Sequence, residues 1–248
     1  PLSERTFTKP ILMGCNKALT SKRSLTKIKV NVSLLNEEGV SMADTKEKIL
    51  HTALRLFARN GYEAASVSDI AGALGMTKGA LYKHYKNKRE IFNSIVERMY
   101  QVDAERAKTY EVPEETFAQS PSAYRQVAMD KIKIFIKAQF HFWTEDEFAS
   151  SFRKMLILEQ YRNPEIMELY QKCLLSGPVS YMEDVFREMM EQNVWSKSDP
   201  KQLALAFYAP FYLLLSMSDA TSDKKEAAAL LAAHIERFIE NNFPERCG

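Results

Sequence analysis

The sequence has few cysteines, little glycine and proline, and no apolar run long enough to cross a bilayer. Its 248 residues include three cysteines, 8 glycines and 9 prolines. Three scattered thiols cannot form a disulfide framework, which favours a reducing, cytoplasmic compartment. So little glycine and proline excludes collagen-like and low-complexity chains. The most apolar stretch, Leu203–Met217, is shorter than the roughly 20 residues of a membrane-spanning helix and contains Pro210, so we expect no membrane partner.

Charge is distributed unevenly along the chain, although the formal net charge is only +2. Residues 45–100 contain ten Lys/Arg and five Asp/Glu, whereas residues 101–248 contain 17 Lys/Arg and 23 Asp/Glu. The basic part indicates a polyanionic partner such as nucleic acid, and the acidic remainder indicates a separate role. With 46% apolar residues, a chain of this length can bury a core without disulfides.

After Met42 the apolar residues recur at helical spacing without an alternating strand pattern, so we predict an all-α fold. Residues of types that cap a helix N-terminus stand at four places, namely Asp44, Ser66, Thr77 and Asn87. Longer helical patterns follow at 124–143, 147–161, 164–192, 200–218 and 224–242. Because Pro178 and Pro210 lie inside two of these patterns, we expect them to kink or break their helices.

Residues 1–41 differ from the rest of the chain. They show no sustained period and begin without a methionine, whereas Met42 is followed at once by a helical pattern. We therefore expect 1–41 to be a non-native or disordered leader. A basic arm that reaches a polyanion is the alternative.

Two short helices separated by a glycine turn form the most specific pattern, with one helix at 67–74 and the next at 77–85. Ala71 is small where the helices must approach, Gly75 suits a turn that needs a positive φ, and Leu81 is apolar where the second helix meets the first. This combination is typical of the DNA-binding helix-turn-helix. An ordinary helical hairpin would explain the apolar positions equally well. It would not explain the polar residues that the second helix exposes without an acidic partner, which are Lys78, Tyr82, Lys83 and His84.

Over residues 45–99 the sequence resembles the N-terminal domain of TetR/AcrR-family transcriptional regulators. The positions that carry the resemblance are Ile49, Leu50, Ala53, Leu54, Phe57, Gly61, Tyr62, Ser66, Val67, Asp69–Ala71, Leu74–Tyr82, His84, Tyr85, Asn87, Lys88, Ile91 and Phe92. The resemblance implies a three-helix DNA-binding head followed by a larger helical domain for ligand binding and dimerisation. It also implies a homodimer, a small-molecule effector and double-stranded operator DNA as partners. The predicted domains are the leader at 1–41, the head at 42–92 and the effector-binding and dimerisation domain at 93–248.

Nine residues of the head are candidate DNA contacts. The N-terminal part of the second helix lies at base edges in such units, so Thr77 and Lys78 are placed to contact bases and Gly79 permits close backbone approach. The other six are expected at phosphates, or at either kind of site, and are Ser66, Ser68, Tyr82, Lys83, His84 and Lys88. The resemblance implies backbone contacts for Tyr82, His84 and Lys88, and Lys88 could also use the free N–H groups at the next helix start. Tyr85 is expected to lie in the core.

The aromatic and methionine-rich remainder gives two further candidate sites. Most of these side chains must form the core, but helix bundles of this size also contain apolar ligand cavities. The candidates for an effector pocket are Phe140, Trp143, Phe152, Met155, Tyr161 and Tyr181. The helix at 203–217 is apolar nearly all round, so it is either a buried central helix or half of a four-helix bundle across a two-fold axis. The candidates for that dimer interface are Phe207, Phe211, Leu214, Leu231 and Phe238.

Enzyme signatures are weak. The glycine spacing around Lys78 superficially resembles a phosphate loop, but no strand leads into it. His141 and Glu145 are one turn apart without another ligand nearby, so we expect no metal, no cofactor and no catalytic residue. We predict a cytoplasmic, homodimeric DNA-binding regulator, a repressor that a small-molecule effector releases from a palindromic operator. The alternative is an architectural or division-linked DNA-binding factor with the same head and no effector.

Overall fold

The structure, a computed structural model, describes residues 42–109, 121–191 and 198–242, so the predicted leader at 1–41 lies outside the described residues. Every regular element in this part of the chain is a helix, which confirms the predicted all-α fold. The helices are α1 (Met42–Asn60), α2 (Val67–Ala73), α3 (Lys78–Tyr82), α4 (Lys88–Thr109), α5 (Pro121–Glu145), α6 (Glu147–Glu159), α7 (Pro164–Leu174), α8 (Ser176–Glu191), α9 (Pro200–Met217) and α10 (Lys225–Asn242), with a 3-10 turn at Ser218–Ala220 after α9.

Two compact units make up the described chain. The head unit contains residues 42–101 together with 151–167, and the bundle unit contains 102–109, 121–150, 168–191 and 198–242. The head unit therefore includes parts of α6 and α7, which lie far along the sequence from α1. The predicted domain boundary between residues 92 and 93 stays a prediction.

The core of the head unit explains why three short helices fold together. Ile49, Ala53 and Phe57 recur at helical spacing along α1 and are completely buried. Ile70 on α2 and Leu81 on α3 are equally buried, and α2 packs against both α1 and α3. Full burial of a side chain of this size contributes about 1.5–3 kcal/mol. Packing therefore stabilises helices that are too short to persist on their own.

The helix starts follow the sequence at α4 but not at α1. Asn87 Oδ1 accepts a hydrogen bond from the backbone N–H of Glu90 at 2.8 Å, as expected of an N-cap. Asp44, by contrast, lies inside the first turn, because α1 begins at Met42. The predicted cap is therefore corrected, and the Asp44 carboxylate instead lies near the positive end of the helix dipole.

In the bundle unit, α9 packs against α5, α8 and α10. Its Phe207 ring lies 5.6 Å from the ring of Phe186 on α8 and 5.0 Å from that of Phe238 on α10, between centroids. Pro210 lies inside α9 without ending it, contrary to a predicted break. The pattern at 164–192 does divide, because α7 ends before Leu175 and Pro178 falls in the first turn of α8, where its missing N–H is tolerated.

The apolar character of α9 extends further than the sequence run indicates. Among the described residues, Pro200–Ala220 is one helical segment whose length and mean hydropathy of 1.4 would allow it to cross a membrane. Seven residues of α9 are buried within the chain. A core helix of a globular bundle has the same composition, because its neighbours cover its apolar surface.

Gly61 follows the last residue of α1 in a left-handed backbone conformation, and a buried carboxylate lies against it. Its φ is +88°, and a methyl group added there would overlap Oε1 of Glu159. Glu159 is completely buried, and neither of its carboxylate oxygens has a hydrogen-bond partner in the structure. Arg162 Nη1 lies 3.8 Å from Oε1. A backbone conformation that favours glycine and a buried carboxylate without a hydrogen-bond partner in the structure thus meet at one point of the head unit.

We expect Gly61→Ala to destabilise the protein by about 2 kcal/mol or more, because it adds steric overlap to a strained backbone. In a Glu159→Ala background the overlap is gone, so the same substitution should cost only the backbone contribution of about 1 kcal/mol. Urea unfolding followed by circular dichroism measures both costs. Costs that agree within about 0.5 kcal/mol in the two backgrounds would show that the two side chains do not interact.

Candidate functional site

Side-chain caps fix the two short helices of the head. Ser66 Oγ accepts from the backbone N–H of Asp69 at 3.1 Å, and Asp69 Oδ2 accepts from the backbone N–H of Ser66 at 2.8 Å, which forms a capping box. Hydrogen bonding of the Asp69 carboxyl to the Ser66 side chain, and to the Ser66 backbone N–H, holds the pKa of Asp69 below its ordinary value. Gly75 takes a φ of +65° in the turn, and Thr77 Oγ1 caps α3 by accepting from the backbone N–H of Ala80 at 3.1 Å. The predicted caps at Ser66 and Thr77 are confirmed.

The structure separates the nine candidate DNA contacts into an exposed and a half-buried group. The exposed residues are Ser66, Ser68, Thr77, Lys78, Gly79, Tyr82 and Lys83, whereas His84 and Lys88 are half-buried. Lys78 Nζ lies 5.9 Å from the centroid of the Tyr82 ring, and within the described residues neither Lys78 nor Lys83 forms an ion pair. Tyr85 is 5% exposed, which confirms that it belongs to the core.

Lys88 has a structural environment that the sequence does not reveal. Its Nζ donates to the carbonyl oxygens of Tyr62 at 2.8 Å and Glu63 at 3.1 Å, and it lies 4.4 Å from the centroid of the Tyr62 ring. Part of the α4 N-terminus is also occupied, because Asn87 Oδ1 and Glu90 Oε2 accept from backbone N–H groups there. The Lys88 ammonium therefore links the start of α4 to the loop after α1, and its predicted phosphate contact stays a prediction.

A small cavity lies inside the bundle unit and is lined by residues of α4, α5, α7, α8 and α9. Its volume is about 20 Å³, enough for one or two water molecules. Aromatic side chains form much of its wall, and its polar residues include Asp103, Gln139, Tyr181 and Tyr208. Burial, together with the Asp103 carboxylate, raises the pKa of Tyr181 above its ordinary value.

The cavity coincides with only part of the predicted effector pocket. Trp143 and Tyr181 line it, and Phe140 lies behind Phe211 of the wall with 5.9 Å between ring centroids. The other three candidates belong to the head unit, and their role in an effector pocket stays a prediction. Phe152 and Met155 are buried there as core residues, and Tyr161 is 85% exposed.

Asp103, the charged residue of the cavity wall, was not among the predicted site residues. A sequence signal for it exists, because Val96, Met99 and Asp103 follow one face of α4 at helical spacing and all three are buried. A carboxylate on an otherwise apolar face is unusual enough to indicate a special role. Gln139, which is 4% exposed on α5, is a second polar residue of this kind.

The five predicted dimer-interface residues are buried within the chain, and their role in a dimer stays a prediction. Phe207, Phe211, Leu214, Leu231 and Phe238 are each at most 7% exposed because α5, α8, α9 and α10 pack around them. The large apolar residues that α9 and α10 leave exposed are different ones, namely Leu205, Leu213, Met217 and Leu230. Leu205 and Leu213 lie eight residues apart on α9, so they share a helix face with Ala209 between them.

No group of three or more His, Cys, Asp or Glu residues is arranged to hold a metal ion among the residues that the structure describes. His141 Nδ1 and Glu145 Oε2 lie 2.9 Å apart, and both side chains are at least half exposed. They form a solvated pair on one turn of α5.

Comparison with known proteins identifies the head. Residues 49–95 match the family model described as bacterial regulatory proteins, tetR family. These residues contain α2, α3 and the capped turn between them. The head belongs to the TetR family.

Curated helix-turn-helix regulators resemble the chain over different lengths. It is 28% identical over 209 residues to the uncharacterised HTH-type transcriptional regulator YerO of Bacillus subtilis, covering 80% of this chain and 66% of YerO. It is 38% identical over 55 residues to the icaADBC biofilm-operon negative regulator IcaR of Staphylococcus epidermidis, covering 22% of this chain and 30% of IcaR. The chain thus spans less than two thirds of the length of these curated relatives.

A solved TetR-family structure extends the likeness to the helical fold. PfmR, a TetR-family transcriptional regulator from Thermus thermophilus, is 26% identical and has a TM-score of 0.53 to this structure. The match covers 76% of this chain and 97% of PfmR. The helices that follow the head are therefore similar in fold to those of PfmR.

Replacing Lys88 in this TetR-family head separates stability from DNA binding. We expect Lys88→Met to lower stability by about 1–2 kcal/mol, because it removes two hydrogen bonds from a charged donor while keeping the apolar stem. Lys83→Met, at an exposed position on the neighbouring segment, should leave the melting temperature within about 2 °C. Differential scanning calorimetry measures both. An unchanged melting temperature for Lys88→Met would show that these two hydrogen bonds do not stabilise the head. The phosphate contact that the sequence predicts would then be the remaining role of Lys88.

Proposed function

We propose that the chain is a cytoplasmic, ligand-responsive transcriptional repressor that binds a palindromic operator as a homodimer. One observation carries this proposal, namely that the capped helix α3 exposes Thr77, Lys78, Tyr82 and Lys83 while its only buried residue is Leu81. The face of α3 opposite the core is thus left to a partner, and two lysines on it favour a polyanion. The negative regulation stated for IcaR supports repression.

DNA binding follows from where these groups lie on the helix. Thr77 and Lys78 stand at the N-terminal end of α3, the end that meets base edges when such a helix enters the major groove. A lysine ammonium there can donate to guanine O6 and N7. Gly79 is exposed and carries no side chain, so the backbone can approach the groove closely. Ser66 and Ser68, at the start of α2, are exposed and can donate to phosphates.

The exposed leucines of α9 and α10 support a homodimer. Leu205, Leu213 and Leu230 are 42%, 59% and 50% exposed, and the residues between Leu205 and Leu213 on the same face are uncharged. A second copy of the same surface would bury them across a two-fold axis. The same symmetry would present two copies of α3 to two half-sites of a palindrome. The dimer that we propose therefore uses this outer surface and not the buried residues that the sequence indicates.

The cavity of the bundle unit supports an effector. Its volume of about 20 Å³ is too small for an organic molecule, so a ligand that enters it must enlarge it by moving wall residues. Such a ligand stabilises a conformation that differs from the present one. If the two conformations space the heads differently, ligand binding and operator binding oppose each other. Polar groups at the wall of such a cavity favour an effector over the alternative, an architectural factor with the same head and no effector. No chemical step is part of this function.

Operator binding should depend on the exposed residues of α3. With a duplex selected from random DNA, we expect Lys78→Ala and Lys83→Ala each to lower affinity, and each phosphate contact that is lost should reduce the salt slope by about one. If Lys78 contacts a base, its loss should cost about 1–3 kcal/mol at that base pair and relax the sequence preference there. Fluorescence anisotropy over a salt series measures both effects. Lys201→Ala, which removes an exposed lysine from α9, is the matched control. Normal affinity of the Lys78→Ala/Lys83→Ala double variant would refute the DNA assignment.

Two neighbouring leucines of α10 distinguish interface from core. Leu230 is 50% exposed and Leu231 is 1% exposed. We expect Leu230→Glu, combined with Leu213→Glu, to give a folded monomer, because a carboxylate at each position would be buried unpaired in the dimer. Leu231→Glu should instead unfold the bundle unit, at a cost of several kcal/mol. Sedimentation and circular dichroism separate the two results. A double variant that remains a dimer would place the interface elsewhere.

A further inference from the structure

The turn between α6 and α7 is part of the head unit and carries two strongly exposed side chains. Tyr161 is 85% exposed, and the Arg162 side chain is 67% exposed. The backbone of the turn is nevertheless fixed, because the Glu159 carbonyl accepts from the N–H groups of Arg162 at 2.9 Å and Asn163 at 3.0 Å. Asn163 Oδ1 in turn accepts from the backbone N–H of Glu165 at 3.0 Å and caps the start of α7. A fixed turn thus holds two large polar side chains in the solvent.

This turn lies against the loop that leads to α2. A methyl group added to Gly61 would lie 3.8 Å from Arg162 Nη1. The loop after Gly61 folds back on itself, since the backbone N–H of Ala65 donates to the Gly61 carbonyl at 3.3 Å, and Ser66 follows directly. Because neighbouring Cα atoms are about 3.8 Å apart, the Arg162 guanidinium lies within roughly 15 Å of the Ser66 backbone at the start of α2. That distance is less than half of one turn of DNA, which is about 34 Å.

The start of α4 adjoins the same surface. Lys88 Nζ donates to the carbonyl groups of Tyr62 and Glu63, which directly follow Gly61, and Arg89 pairs with Glu165 at the start of α7. The α6–α7 turn, the α1–α2 loop and the starts of α2 and α4 therefore form one continuous surface of the head unit. Two of these elements, α2 and α4, begin with residues that the sequence predicts at DNA phosphates.

The charge of Arg162 is only weakly compensated. Its ion-pair partner is Glu159, whose Oε1 lies 3.8 Å from Nη1, beyond hydrogen-bond distance. Most of the guanidinium is in solvent, and its five N–H donors form a planar fork that matches the oxygens of a phosphate. Arg59, in the last turn of α1, adds a second exposed cation two residues before Gly61. Glu63 is the exposed carboxylate of the adjoining loop, and it forms no ion pair with Arg162 in the part of the chain that the structure describes. Arg162 thus keeps hydrogen-bond donors for a partner outside the chain.

We infer that Arg162 binds a phosphate of the operator DNA outside the part of the site that α3 contacts, and that the Tyr161 hydroxyl donates to the same stretch of DNA backbone. This inference rests on the proposed function, in which the head binds DNA. Both residues lie outside residues 49–95, which match the family model, so this contact belongs to the α6–α7 turn and not to the helix-turn-helix. A phosphate contact adds affinity for every sequence and fixes the position of the protein on the duplex, but it reads no base.

Salt dependence of DNA binding tests the contact. We expect Arg162→Ala to lower the affinity for the selected duplex by about three- to tenfold and to reduce the salt slope by about one, with the same loss on unrelated duplexes. Arg162→Lys keeps the charge and should keep the slope, and Tyr161→Phe should lower affinity by about two- to threefold. Arg187→Ala removes an arginine of α8 that is 46% exposed, so it is the matched control and should change neither quantity. Fluorescence anisotropy over a salt series measures all four variants.

A series of duplexes, each with one phosphate replaced by a neutral methylphosphonate, locates the contact. The wild-type protein should lose affinity at positions that flank the bases next to α3. At one of these positions Arg162→Ala should be insensitive to the replacement, because the interacting pair has already lost one member. If no position distinguishes the two proteins, the inference is overturned.

Glu159→Gln separates a DNA contact from a purely structural role of Arg162. If Arg162 serves only to offset the buried carboxylate, Arg162→Ala lowers the melting temperature and leaves the salt slope unchanged, which overturns the inference. If Arg162 binds phosphate, Glu159→Gln should raise DNA affinity by about two- to fivefold at low salt, because it removes a negative charge 3.8 Å from the guanidinium. Unchanged or lower affinity of the folded Glu159→Gln variant would contradict the inference. Should either variant fail to fold, the methylphosphonate series with Arg162→Lys in place of Arg162→Ala decides, since only a contacting side chain changes the response at a single phosphate.

The Lys78→Ala/Lys83→Ala double variant distinguishes failure of this inference from failure of the proposed function. If that double variant binds the selected duplex normally, the DNA assignment of α3 fails, and the contact inferred for Arg162 fails with it. If the double variant loses binding while Arg162→Ala keeps the wild-type salt slope, α3 binds DNA and only the contact of the α6–α7 turn is overturned. Loss of binding in the double variant together with a reduced slope in Arg162→Ala supports both.

Discussion

The head depends on one constraint, which is that α2 and α3 have seven and five residues and cannot be stable alone. Burial of Ile70 and Leu81 holds each helix by a single fully buried large side chain. The caps at Ser66 and Thr77 satisfy the first free N–H groups of each helix, and Gly75 allows the chain to turn between them. Because α3 has five residues and buries only Leu81, most of its side chains remain available for contact with a partner.

In the bundle unit, α9 has more apolar surface than one neighbouring helix can cover. Phe207 and Phe211 are covered by α8, α10 and α5, while Leu205 and Leu213 are left at the surface. In a monomer, this exposed apolar surface would lower the solubility of the protein. A second copy of the chain that covers these leucines would also provide the two-fold symmetry that a palindromic DNA site requires.

Local features were predictable from the sequence, and tertiary ones were not. Ser66 and Thr77 cap helices through bonds to residues three positions away, so residue type and spacing suffice to find them. Lys88 bonds to carbonyl groups 25 and 26 residues earlier, which no local pattern encodes. A dimer interface is hard to predict for another reason, since an apolar period tells which face of α9 is covered and not whether its own chain or a second chain covers it. Asp103 is the reverse case, because its charge on an apolar face of α4 is visible in the residue pattern alone, although it was not among the predicted site residues.

The head unit is discontinuous in sequence, since residues 151–167 complete what 42–101 begin. Glu159 lies against the glycine that ends α1, and Arg89 at the start of α4 pairs with Glu165. Recombination that exchanges DNA specificity between related regulators must therefore carry two segments together. A chimera that transfers only the first 101 residues would leave Gly61 facing a foreign side chain. The part of the chain that must be transferred with this head is therefore longer than its helix-turn-helix.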